Sequence, residues 1–252
     1  TTEIYTLSLH DALPISYTDP MTGKTEKPKQ DGPKTGDATT FRTWEAFWQA
    51  YARQTRYIIQ KCVDLYDVSE SIRAQFFPTP YLSCLVQGCA KQARDITQGG
   101  AEISLTTLEA VTFATTVDSL LAVKYLVFDK KVCTMAELLA ALQANWQGHE
   151  VLQAQARNRA PKYGRDDDEA DALALKVMEL WCDETWKHRT KSTNRRFRPG
   201  MLSWNYWAGD GFILSASPDG RTKGQFLSNA ICPSNGADIK GQIGRASCRE
   251  RV

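Results

Sequence analysis

Between Leu105 and Phe128 nearly every face that a helix could present is apolar. Ala110, Ala114, Val117, Leu121, Tyr125 and Phe128 step by three or four residues along one side, and the positions between them are mostly apolar too. A T-x-x-E capping box, Thr106 with Glu109, predicts where this helix opens, and makes it the longest in the chain. A helix that is apolar all round must be buried all round, so the remaining chain has to surround it. At 252 residues there is enough chain for that, as one large domain or two small ones. The stretch is not a membrane span, because Asp118, Ser119, Lys124 and several threonines interrupt it.

The elements around it read as mostly helical. Residues 17–40 form a polar loop rich in Pro, Gly, Lys and Thr. From Thr43, a plausible N-cap, Trp44, Phe47, Tyr51, Ile58, Cys62 and Leu65 fall near helical spacing. A separate segment, Ser69 to Phe77, is stopped by Pro78 and Pro80. Tyr81 to Arg94 reads as a further short helix, and ITQGGAEIS (Ile96–Ser104) as a Gly-broken extended piece. A second capping box, Thr134 with Glu137, opens a helix carrying Leu138, Leu142 and Trp146. Asp167 or Asp168 caps another, with Leu173, Val177 and Leu180 inward. GFILSAS (Gly211–Ser217) reads as a short β run ended by Pro218.

Composition excludes more than it assigns. With 31 Lys and Arg against 29 Asp and Glu, the chain lacks the overall basic balance of most nucleic-acid-binding domains. One basic run, KHRTKSTNRRFR (Lys187–Arg198), lies between Trp181, Trp186, Trp204, Tyr206 and Trp207, a mixture that suits phosphates and stacked bases. A helix end followed by a solvated loop explains the run equally well. It leaves a helical interaction or nucleic-acid-binding module as the alternative reading. The cysteines, among them Cys62, Cys84, Cys89, Cys133, Cys182 and Cys232, form no CxxC pair and no disulfide framework, which suits reduced thiols in the cytoplasm. His149 and His188 have no companions at metal-ligand spacing. Arg165–Glu169, RDDDE, lacks the alternation and the glycine of a calcium loop, and reads as carboxylates facing a helix N-terminus.

The two ends read as foreign. Thr1–Ser16 and Ile243–Val252 both back-translate into a common short-read sequencing adapter, one strand at each end. Residues 17–242 are therefore expected to be an internal piece of a longer protein.

The stretch SASPDGRTKGQFLSNAICPSNGAD (Ser215–Asp238) raises the functional question. Ser217-Pro218-Asp219-Gly220 has Pro at the second and Gly at the fourth position of a type I turn. Arg221 follows, with a planar fork able to clamp carboxylates or carbonyls. This stretch resembles the A-T/S-P-D-G-R-x-x-G-x-P-L-x-x-G-x-x-P-x-x-G-x-D loop of the pyruvate formate-lyase-like glycyl radical enzymes. KYGRDDDEAD (Lys162–Asp171) resembles their K-Y/F-G-N-D-D-D-x-x-D segment, with Arg165 where Asn is usual. DITQGGAEIS (Asp95–Ser104) resembles their G-x-D-x-T-x-G-G-A-x-Y-N strand. Gln225-Phe226 stands in place of their usual Glu-Pro. The similarity runs from about Phe41 to Gly241.

The resemblance implies an α/β fold, a partial ten-stranded α/β barrel of which this chain supplies a predominantly helical part. It implies a lyase, of decarboxylase, dehydratase or formate acetyltransferase type, acting on a small molecule. The family's cofactor is a protein glycyl radical, installed by an S-adenosylmethionine-dependent iron–sulfur activating enzyme, and no other bound cofactor is expected. A cytoplasmic homodimer without membrane or nucleic-acid contact follows by the same analogy. The family's cysteine loop, G-C-V-E, and glycine loop, R-V-x-G-Y, are both missing from the sequence, so no catalytic residue is expected in it. Gly88-Cys89-Ala90-Lys91 is not that cysteine loop, since Lys91 stands where the Glu belongs. Ser215, Ala216 and Ser217 are the expected substrate-pocket residues, and Pro218, Asp219, Gly220 and Arg221 are expected to hold the turn.

Overall fold

The computed structural model describes residues 17–18, 25–26, 32–202 and 205–239. Residues 1–16 and 243–252, the proposed adapter translations, lie outside the described residues, as does Trp204. The chain divides into two compact units. The first comprises residues 1–55, 110–180 and 201–252, and the second comprises 56–109 and 181–200.

Two short antiparallel strands, β1 (Tyr17–Thr18) and β2 (Thr25–Glu26), pair Tyr17 with Glu26 and Thr18 with Thr25. Helix α1 then runs unbroken from Trp44 to Phe76 and is the longest described element. Thr43 caps it, its Oγ1 accepting from Ala46 N at 3.3 Å. The two segments expected on either side of residue 68 are thus one helix. Tyr66-Asp67-Val68 contains no Gly or Pro to break it, and it stops only ahead of Pro78.

In the first unit the α1 aromatics build one wall of the core. Trp44 stacks on Phe47 with centroids 5.7 Å apart, and Phe47 meets Phe128 at 5.9 Å. Helix α4 (Phe113–Val123) fills the centre, and all its residues but Thr116 are buried. A π-helical turn, Lys124–Asp129, continues it, with Lys124 Nζ held by Asp129 Oδ2 at 2.6 Å and Glu169 Oε1 at 2.5 Å. Helices α5 (Met135–Gln143), α6 (Glu150–Asn158) and α7 (Asp168–Trp186) pack around this centre. The Thr134–Glu137 capping box forms in full. Asp167 caps α7, its Oδ1 accepting from Glu169 N and Ala170 N, each at 3.1 Å. Leu121, 1% exposed, sits at the middle of α4. Its replacement by Ala is expected to cost ~2–5 kcal/mol. Chemical denaturation checks this, and a loss well under ~1 kcal/mol would place α4 at the periphery.

The N-terminal part of the expected long helix is instead a strand. β3 (Leu105–Ala110) lies beside β4 (Arg196–Met201). The two run parallel; Arg198 donates to Thr107 Oγ1 at 3.4 Å, and Leu202 N donates to Ala110 O at 3.2 Å just beyond the strand ends. Alternation decides it: Thr106 and Leu108 are buried while their neighbours are less so, a period of two that a helix cannot satisfy. Thr112, at φ +56, turns the chain into α4. Glu109 caps nothing; its carboxylate lies over Gly200, where a Cβ would collide with it.

The second unit is ordered by polar contacts as much as by apolar ones. Ile59, Val63, Cys89, Leu108, Trp181 and Phe197 are buried, and Tyr66 meets Phe197 edge-on at 5.6 Å. The α1 face turned inward here also carries Asp67 and Glu70, whereas Leu65, expected inside, is 64% exposed. The basic run explains this choice. Asp67 Oδ1 accepts from Lys191 N at 2.7 Å. Glu70 accepts from the Ser192 and Thr193 hydroxyls at 2.6 and 2.7 Å and faces Arg195 at 3.3 Å. Arg196 lies over the Trp186 ring, 4.5 Å from its centroid. Cations that are paired within the fold leave the nucleic-acid reading without support.

DITQGGAEIS is not a strand. Ile96–Gln98 forms a 3-10 turn capped by Asp95, which accepts from Thr97, Ser83 and Thr79. Desolvation alone would raise the Asp95 pKa, but these hydrogen bonds outweigh it and hold it at about 2. Two short helices, α2 (Pro80–Leu85) and α3 (Cys89–Gln92), replace the one expected over Tyr81–Arg94. They part at Gly88 (φ +99), where a Cβ would strike the backbone of residues 100–102. No described helix is long and apolar enough to cross a membrane.

Candidate functional site

The PDGR stretch is tied down from several directions, all within the first unit. Helix α8 (Tyr206–Ile213) leads into it. Gly211–Ile213 of the expected β run belong to this helix, and residues 214–217 are extended without a strand partner among the described residues. A short apolar run does not separate strand from helix by periodicity. The turn closes with Gly220 N donating to Ser217 O at 3.1 Å. Ser217 Oγ donates to Asp219 Oδ1 at 2.5 Å, and the same carboxylate accepts from Arg221 N at 3.2 Å.

Three successive carbonyls of the turn each receive a donor from elsewhere in the unit. Asp219 O accepts from Lys162 Nζ at 3.1 Å. Gly220 O accepts from Gln153 Nε2 at 2.7 Å and Arg157 Nε at 2.9 Å. Arg221 O accepts from the Trp146 indole at 3.2 Å. Gly220 has φ +99, and a Cβ there would strike Arg157. Arg221 points the other way, 7% exposed, and its guanidinium donates to the carbonyls of Gly211, Leu214, Ser215, Thr222 and Gln225 and to Ser217 Oγ. Burial lowers its pKa and the Asp219 carboxylate opposes that shift.

The KYG segment meets α4 at the same place. Tyr163 N donates to Asp118 Oδ1 at 2.8 Å, and Gly164 (φ +93) leaves room for Pro233. Thr115 and Ser228 exchange reciprocal bonds of 2.8 and 2.9 Å. Asp118 is fully buried. Burial pushes its pKa up to about 6. Lys162, the Ser234 hydroxyl and Tyr163 N–H pull it back, and Asp219 adds to the rise.

Folded Asp118 therefore holds its proton at pH values where an unfolded aspartate, near 3.8, has released it. Its contribution to stability is fully present below about pH 4 and is lost as pH rises through about 6. Asp118→Asn retains an acceptor for Tyr163 N–H and should flatten this part of the pH profile. Denaturation midpoints of both proteins at pH 4 and 7 measure it, and equal slopes would refute it.

Around these groups lies a cavity of about 540 Å³, lined among others by Asp118, Lys162, Arg165, Asp219, Arg221 and Ser234. The structure thus brings Asp219 and Arg221 to a cavity. Ser215, Ala216 and Ser217 are not among its lining residues: Ala216 packs in the core, and Ser217 is occupied in the turn. Lys162 and Ser234 fall within the KYG and PDGR stretches, whereas Asp118 carries no motif signal of its own. The one available clue is a carboxylate at the centre of an otherwise apolar helix. Among the described residues no cluster of His, Cys, Asp and Glu could hold a metal, and Cys89 is buried on α3.

Comparison with known proteins gives the context. A 213-residue stretch is 35% identical to trans-4-hydroxy-L-proline dehydratase of Clostridioides difficile, covering 84% of this chain and 27% of that protein. Isethionate sulfite-lyase of Nitratidesulfovibrio vulgaris is 35% identical over 220 residues, which is 83% of this chain and 25% of the relative. The chain thus spans about a quarter of the length of these curated relatives. The crystal structure of the C. difficile hydroxyproline dehydratase with its substrate bound superposes with a TM-score of 0.88 at 32% identity, over 98% of this chain and 30% of that one. The mostly helical architecture with its small parallel sheet is accordingly a portion of the α/β barrel of glycyl radical enzymes. The family model for pyruvate formate lyase-like proteins matches residues 9–208, most of the chain, and with these relatives it shows that the chain belongs to that family.

Proposed function

We propose that residues 17–242 are the central part of a glycyl radical enzyme that cleaves a C–C or C–heteroatom bond in a small molecule. The observation that carries this reading is the 35% identity to a dehydratase and to a sulfite-lyase across more than four-fifths of the chain. The names of these relatives favour elimination over acyl transfer of the formate acetyltransferase kind. The part described here would supply barrel wall and outer helices. The cysteine and the glycine of the radical relay would lie upstream and downstream, in loops of G-C-V-E and R-V-x-G-Y type. A closed barrel suits this chemistry because it keeps water away from reactive intermediates.

In this reading the PDGR turn is a clasp. It fixes the segment 214–217, and Ser215, Ala216 and Ser217 are proposed to approach the substrate in the complete barrel. The Ser217 hydroxyl is already committed to Asp219 and Arg221. A radical activating enzyme, a homodimeric state and a cytoplasmic location belong to the same proposal. Recovery of the flanking coding DNA tests it: both loop motifs should appear in frame, one on each side. Flanks lacking both would sink the assignment.

A further inference from the structure

The second half of α1 has inverted polarity. Its buried side carries Val63 together with the carboxylates of Asp67 and Glu70. The opposite side carries Leu65, Val68, Ile72 and Phe76, which at 3.6 residues per turn form one apolar line along the helix. A helix that faced water there would show charges on that line. The same character continues past the helix end, in Phe77 of the three-residue link and in Tyr81 and Leu85 of α2. These seven side chains are exposed by 45% (Ile72) to 82% (Tyr81). Together they present on the order of 800 Å² of mostly apolar surface, where an ordinary monomer shows a largest patch of roughly 300–600 Å². Surface of this extent and character marks an interface.

We propose that this face is covered by the polypeptide that flanks residues 17–242 in the complete enzyme, and not by a second copy. The proposal rests on the reading of the chain as the central part of a longer enzyme. The relatives are roughly four times as long as the stretch they share with this chain, so in them most of the polypeptide remains to pack against this portion. The exposed half of α1 and all of α2 belong to the same unit as the β3–β4 pair. In an α/β barrel the outer helices stand side by side in a ring, so a helix beside one strand pair meets the helices of the next. Among the described residues β3–β4 is the only parallel pair, and the elements that would stand beyond α1 are not among them. A dimer contact draws on what a subunit leaves exposed once it is complete, and this face is left exposed before the barrel has closed.

Photo-crosslinking tests it, in the enzyme completed from its flanking sequence and carrying p-benzoylphenylalanine in place of Tyr81. The cross-link should stay within one chain, keeping the monomer mass on a denaturing gel, and peptide mass spectrometry should place its far end outside residues 17–242. Maleimide labelling of the unmodified enzyme at Cys84, exposed on α2, serves if that variant does not fold. Labelling in the folded enzyme should be at least about tenfold slower than in urea, a protection that folding of the described residues alone does not provide. A doubled mass assigns the face to a second copy and overturns the proposal. A cross-link confined to residues 17–242, no cross-link, or equal Cys84 rates in buffer and urea overturns it too. The two failures are distinguishable: flanks without the loop motifs refute the enzyme assignment, whereas a doubled mass with both motifs present refutes this inference alone.

Discussion

Incubated anaerobically with a radical activating enzyme and S-adenosylmethionine, the 252-residue chain is expected to give no glycyl radical signal by electron paramagnetic resonance and no turnover. The expected effect is total. Radical transfer needs the glycine that carries the spin and the cysteine that receives it, and no binding interaction substitutes for a missing atom. The sequence contains neither G-C-V-E nor R-V-x-G-Y. Cys89 does not stand in, because it is 2% exposed on a one-turn helix with Lys91 two residues on. The enzyme completed from flanking sequence should develop the signal after activation. Within it, Ser215→Phe should impair turnover and leave the signal intact, which separates a pocket role from a role in radical installation. A signal from the 252-residue chain alone would show that the radical glycine lies inside it, and the proposed placement between the two loops would fail.

Much of the fold was legible where one local signal decided the structure. The Thr134–Glu137 capping box, the Asp167 cap and the stop before Pro78 each act through neighbours within a few residues. The failures share a different cause. Thr106 and Glu109 carry the same T-x-x-E pattern as Thr134 and Glu137, yet the first pair lies in a strand, because Arg196–Met201 offers a parallel partner that sequence spacing does not show. Tertiary pairing overrides local propensity. The outward turn of Leu65 has a similar origin: the inward positions of α1 are claimed by Asp67 and Glu70 to receive residues 191–195, more than a hundred residues away. The candidate site followed the same division. The PDGR and KYG segments stood out by resemblance. Asp118 did not, since what marks it is a carboxylate fully buried beside Tyr163 N–H, and burial is a property of the fold.

Replacement of Arg221 by Met should destabilise the first unit by about 3–5 kcal/mol, the largest loss expected of any single change in the clasp. A buried cation is often replaceable by an apolar residue of similar volume at little cost, provided its partners are replaced as well. Here they cannot be. The guanidinium serves the backbone carbonyls of Gly211, Leu214, Ser215, Thr222 and Gln225, and a side-chain substitution takes this donor from each of them; among the described residues only Gly211 and Thr222 keep a backbone donor, from Gly224 N and Gln225 N. Each orphaned buried acceptor costs ~1–3 kcal/mol before relaxation, so even partial access of water leaves a large deficit. Arg221→Lys keeps the charge but directs three donors from one point, where the native fork reaches both α8 and the chain after the turn. It should therefore recover less than half of the loss. Native-state hydrogen exchange reads the effect locally: Ser217 N–H, bonded to Arg221 O, and Gly220 N–H, bonded to Ser217 O, should lose protection in both variants. A loss in the Met variant below ~1 kcal/mol would mean that water already serves those carbonyls, and that the clasp is held by Lys162, Gln153, Arg157 and Trp146 from its other side.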